Sequence, residues 1–138
     1  MRKAIAIDFD GCLCSSAYPN IGKPHWGVIE EALAEKAKGT ALILWTCREG
    51  DSLQEAVKAC ESWGLPFDAI NENLSERVSF FGTNSRKISA DEYWDDRAVH
   101  IPEHPSISDF PQNWRVQLFN KFTRSEKVER IKSGEMQK

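Results

Sequence analysis

The stretch Ala4-Ile5-Ala6-Ile7-Asp8-Phe9-Asp10-Gly11 constrains this chain more than any other. Its apolar run is too short and too β-branched to favour a helix, and it ends abruptly in two carboxylates one residue apart. Alternate residues of a strand share a face, so Asp8 and Asp10 are expected to project together from the strand's C-terminal end. Open α/β sheets place their ligand sites at that end of the strands. Two neighbouring acids repel unless a cation or a shared proton relieves them. Gly11 permits a sharp departure of the backbone.

The rest of the first hundred residues repeats one alternation. An irregular segment over 14–27 is crowded with Ser, Pro, Asn and Gly, and reads as a loop or flap with His25 and Trp26 as its candidate ligand-contacting side chains. Val28, Ile29, Ala32, Leu33 and Ala37 then recur at helical spacing, and Gly39 is placed to end that helix. Ala41–Thr46 is a second buried strand, and it delivers Thr46, Cys47 and Arg48 to its end. Ser52-Leu53-Gln54-Glu55 has the form of a capping box opening a second helix, which Gly64 and Pro66 stop. Phe67–Ile70 is a short third strand leading into Asn71-Glu72-Asn73. Leu74–Ser89 has no clear period, although Val78, Phe80 and Phe81 suggest packed structure. Tyr93-Trp94 reads as a fourth strand, and it carries a second acidic pair, Asp95-Asp96, at its end. This order predicts a Rossmann-like three-layer α/β/α sandwich around a central parallel sheet.

At 138 residues, with 28% charged and 41% hydrophobic residues, the chain has the length and composition of one ordinary globular domain spanning 1–138. The apolar run after Met1 is cut by Asp8, shorter than the roughly seven residues of a secretory core, and no stretch has membrane-spanning length. The expected location is therefore cytoplasmic. Cys12, Cys14, Cys47 and Cys60 fit reduced thiols and lack zinc-ligand spacing. From Arg115 onward seven Lys or Arg face three Glu, a net +4 that leaves −7 for the rest. That basic tail, about 110–138, carries a helical apolar stripe of Trp114, Leu118, Phe119 and Phe122. It is expected to dock with its basic face solvated; the sharper alternative is an arm steering an anionic ligand such as nucleic acid.

Taken together, two acid-ended strands could hold a hard divalent cation, a third ends in a hydroxyl, and a lysine precedes the fourth. Carboxylate, magnesium, hydroxyl and ammonium are the parts phosphoryl transfer uses, because its transition state is stabilised mainly by positioning and charge.

In that order Ile7-Asp8-Phe9-Asp10-Gly11, Leu44-Trp45-Thr46, Lys87 and Trp94-Asp95-Asp96 resemble the four motifs of the haloacid dehalogenase superfamily, over about residues 3–100. Asn71-Glu72-Asn73, Ser85-Arg86-Lys87 and Ala90-Asp91 through Arg97 look like a small hydrolase-like branch of it. The resemblance implies that the Asp8 strand is central and that Asp8 is a nucleophile forming an aspartyl phosphate. It implies that Asp10 is the general acid and base, Thr46 a donor to a phosphoryl oxygen, and Lys87 the cation neutralising Asp8 and phosphate. It also implies Mg2+ held by Asp8, Asp95, Asp96 and the Asp10 backbone carbonyl. No large cap domain is inserted, so the site would be open unless an oligomer partner covers it. Arg48, Asn71 and Arg86 are the candidates to contact substrate, with Asn73 and Asn84 nearby. The leading expectation is a phosphatase acting on a phosphorylated small molecule. A metal-dependent nuclease or nucleic-acid end-processing enzyme, and a non-catalytic phosphate-binding protein, are the alternatives.

Overall fold

A computed structural model describes residues 1–101. Met1–Ala98 forms one compact unit. It carries the sheet and its helices; the basic stretch expected over 110–138 lies outside the described residues.

Seven elements alternate strand and helix: β1 (Ala4–Ile7), α1 (Trp26–Ala37), β2 (Ala41–Leu44), α2 (Gly50–Ser62), β3 (Ala69–Ile70), α3 (Ser75–Phe81) and β4 (Glu92–Trp94). The four strands form one all-parallel sheet in the order β3-β2-β1-β4. β1 is an interior strand, pairing Ile7 with Leu44 on one side and with Trp94 on the other. The C-terminal ends of β1, β2 and β4 are therefore side by side.

All four residues of β1 and of β2 are buried, as strands covered on both faces must be. Ile5, Ile7, Leu42 and Leu44 pack against Ile29 and Ala32 of α1 and Ala56 and Cys60 of α2. Ala4, Ala6, Ala41 and Ile43 face the other way, against Leu74 at the head of α3 and Ile88. The small alanines on this second face leave room for the irregular segment between α3 and β4. The result is a small Rossmann-like α/β domain.

Two local readings are revised. The second helix begins at Gly50 rather than behind Ser52, and the Ser52 hydroxyl donates backward to the Glu49 carbonyl (2.9 Å) instead of capping. The unassigned stretch after Leu74 forms α3, ended by Gly82 in the left-handed region at φ 72°. Arg77 holds this part together from a buried position: it donates to the Arg2 carbonyl, Ser89 Oγ and Asp91 Oδ2. Asp91 Oδ2 also accepts the Ala4 amide (2.8 Å), tying the start of β1 to the approach to β4.

Candidate functional site

β1 ends at Ile7, before either acid. Beyond Asp8 the chain winds into a turn whose amides from Cys12, Leu13 and Cys14 all approach the Phe9 carbonyl, at 3.2, 3.0 and 3.4 Å. The two carboxylates keep different partners: Asp8 groups with Asp95 and Asp96, whereas Asp10 pairs with Arg48.

Asp8 remains at the mouth of the sheet. One of its oxygens accepts the Phe9 amide (2.8 Å), which fixes the carboxylate plane. Asp95 and Asp96, delivered by the end of β4, bring one oxygen each into a group with Asp8 whose members all lie within 4.8 Å of one another. Burial, followed by the nearby charges of Asp95, Asp96 and Asp10, pushes the Asp8 carboxyl up to about 6. Gly11 makes the approach of Asp96 feasible. Its φ is +83°, and a Cβ there would stand 2.5 Å from Asp96 Oδ2. An oxygen-only donor set of this kind, half-buried at Asp8 and open at the other two acids, suits a hard divalent cation completed by water.

Asp10 faces Arg48 instead. Arg48 Nε donates to Asp10 Oδ2 and its Nη2 to Oδ1, both at 2.8 Å, a bidentate pair. The other three N–H groups go to the carbonyls of Asn20 (2.7 Å), Pro19 and Ser52 (3.2 Å each). All five guanidinium donors are thus used, and the side chain is 1% exposed between the rings of Phe9 and Tyr18. Arg48, expected on substrate, has no donor left for one. Its actual task is to orient Asp10 and to tie down the loop through Pro19 and Asn20. Each Asp10 oxygen keeps a second lone pair free of Arg48.

Asn71 was also expected to face substrate, and both ends of its amide take part in backbone bonds. Oδ1 accepts the Thr46 amide (2.8 Å) and Nδ2 donates to the Arg48 carbonyl (3.3 Å), from a backbone at φ 53°. It clamps the end of β2. Asn73 does the same for the approach to Ser89, through bonds to Asn84, Ser85 and Ser89. Thr46 Oγ1 accepts the Arg48 amide (3.1 Å), which leaves its own hydroxyl hydrogen available to donate. Lys87 does not reach Asp8. Its Nζ lies 5.4 Å from the centre of the Tyr93 ring, and Tyr93 pins that segment by donating to the Ile88 carbonyl and accepting the Ala90 amide. Arg86 is exposed and forms no ion pair with Asp8, Asp95 or Asp96.

Cys12, the thiol beside Asp8, is held in its unreactive protonated form. All four cysteines are free, and burial beside Asp8 pushes Cys12 up to about 12. The 14–27 loop closes on itself through Ser15 and Lys23, and the His25 amide donates to the Leu13 carbonyl (2.8 Å). Beside the acidic group, a pocket of about 470 Å³ opens between the start of α1 and the end of β4. His25, Gly27, Val28, Glu31 and Trp94 line it. Sequence reasoning singled out only His25 here. Glu31 and Trp94 lie far apart in sequence, on α1 and β4, and only the folded chain brings them to one pocket.

Fold and site together define a small Rossmann-like domain with a carboxylate group at the C-terminal end of its sheet. No protein-family model matches the chain, and no curated protein matches it. A solved structure of a conserved protein from Bacteroides thetaiotaomicron is similar to it: 38% identity, a TM-score of 0.63, and coverage of 75% of this chain and 84% of that one. The chain belongs to the same family as that conserved protein. Among the described residues no helix is long and apolar enough to cross a membrane.

Proposed function

We propose that this protein is a magnesium-dependent phosphatase of the haloacid dehalogenase type. The observation that carries the reading is the convergence of Asp8 from β1 with Asp95 and Asp96 from β4, beside an Asp10 oriented by a buried arginine. A bound magnesium ion, held by Asp8, Asp95 and Asp96, would neutralise charge on the phosphoryl oxygens.

The chain's own groups then divide the work. A carboxylate oxygen of Asp8 attacks phosphorus, the bond to the alcohol oxygen breaks, and an aspartyl phosphate forms. Asp10 hands the departing alcohol oxygen a proton. It next takes one from the water that attacks phosphorus, as the bond to the Asp8 oxygen breaks and phosphate leaves. Arg48 keeps the Asp10 carboxylate in one orientation through both steps without being consumed. The Thr46 hydroxyl donates to a phosphoryl oxygen. Lys87 would have to leave Tyr93 to contribute.

The position of Lys87 favours one second reading. A metal-only phosphodiesterase or nuclease needs the acids purely as ligands and has no use for a lysine beside Asp8. Acid quenching separates the two. With a phosphate-labelled monoester and magnesium, the phosphatase leaves label on wild-type protein and none on Asp8→Asn, and fluoroberyllate with magnesium blocks turnover. Turnover without trapped label or fluoroberyllate inhibition assigns the acids to the metal alone. No turnover of any phosphate ester, with EDTA and with magnesium alike, overturns both.

A further inference from the structure

Resting on the phosphatase reading, the pocket beside the acidic group indicates what the alcohol half of the substrate is. We infer that it accepts an uncharged, hydroxyl-bearing alcohol of monosaccharide to nucleoside size, and turns away substrates with a second anionic group. The pocket's volume of about 470 Å³ is within the ordinary range for small-molecule sites. It abuts the acidic group through Asp95 and Asp96, so a phosphate held there directs its ester group toward this space.

The lining decides the chemistry. Among the described residues no lysine or arginine borders the pocket, and Glu31 places a carboxylate on its wall. A second phosphate or a carboxylate would meet an uncompensated negative charge, which is how sites reject near-substrates. Hydroxyl groups suit the same wall. Glu31 accepts from them, and His25 offers a second acceptor: Nδ1 faces the Cys12 carbonyl at 2.8 Å and so carries the hydrogen, leaving Nε2 bare in the neutral ring. Donors come from the opening turn of α1, which has no side-chain cap. Trp94 supplies an apolar wall, its indole N–H already engaged with Glu92 (3.2 Å). Gly27 keeps the pocket open, since a Cβ there would meet nothing within 4 Å.

The test compares kcat/KM for ribose 5-phosphate and adenosine 5′-monophosphate with fructose 1,6-bisphosphate and acetyl phosphate, in protein with magnesium. The two monoesters should exceed the bisphosphate by about tenfold or more. Glu31→Lys should narrow that gap by raising the bisphosphate. Gly27→Leu, which fills the space, should lower the ratio of ribose 5-phosphate to acetyl phosphate by about tenfold. Equal use of mono- and bisphosphates, or ratios unmoved in variants that melt like wild type, overturns the inference while leaving the phosphatase reading intact. Failure of wild type to hydrolyse acetyl phosphate faster than Asp8→Asn overturns the phosphatase reading instead. The pocket is then read by titrating adenosine and following the Val28 amide and the Trp94 indole by NMR. Shifts lost in Gly27→Leu support it, and no shift in wild type overturns it.

Discussion

Replacing Asp8 by asparagine should make the metal-free protein more stable. The Asp8 carboxyl is raised from an ordinary value of 3.8 to about 6, first by burial and then by the charges of Asp95, Asp96 and Asp10. A carboxyl with a raised folded-state value contributes stability that is fully present below about 3.8 and lost as pH rises through about 6. A difference of roughly two units corresponds to about 3 kcal/mol, which partial contact with solvent reduces to about 2 kcal/mol. Asparagine retains an oxygen to accept the Phe9 amide, so the local geometry survives. At pH 7.5 in EDTA, Asp8→Asn should melt roughly 8 °C above wild type for a unit of this size. Lowering the pH toward 4 should close the gap, because wild-type Asp8 is then neutral as well. Magnesium should narrow it at pH 7.5 by stabilising only the wild type. An Asp8→Asn protein that melts with or below wild type in EDTA, or a gap unaffected by pH, would refute the account of this carboxylate as destabilised by its surroundings.

Gly11→Ala should cost about 1–2 kcal/mol for the left-handed backbone alone, and displacing Asp96 should also abolish any stabilisation by magnesium in thermal melts. Arg48→Met should destabilise by about 3–5 kcal/mol in urea titrations, because it strands the Asp10 carboxylate and three carbonyls; adding Asp10→Asn should recover part of that loss. Gly27→Ala should raise stability by about 0.5–1 kcal/mol, since the helical backbone is kept and the added methyl meets open space.

The parallel sheet was legible because its signals are local. Uninterrupted apolar runs such as Ala41–Leu44 mark strands buried on both faces, and Gly39 and Gly64, at φ 94° and 75°, end helices where their lack of a Cβ permits it. The stretch from Leu74 to the approach to β4 was harder. It is held by Arg77, Asp91 and Asn73, whose hydrogen bonds span up to 87 residues of sequence. Such side chains look the same whether they brace a backbone or face a ligand.

That ambiguity explains the candidates that changed roles. Arg48 and Asn71 come after strand ends, which is where substrate-binding groups belong in this fold, and position alone could not show that both side chains bond to neighbouring loops. Counting donors settles Arg48: a guanidinium has five hydrogens, and Asp10, Asn20, Pro19 and Ser52 take all five. The loop ahead of α1 and the candidate acid–base residue therefore share one buried cation. A change that loosens Pro19 or Asn20 reaches Asp10 through Arg48, because a guanidinium freed from two carbonyls would retain the carboxylate but lose the contacts that fix its plane. Asp10 owes its orientation to a loop that contributes none of the three clustered acids, and this dependence runs through contacts rather than through any motif.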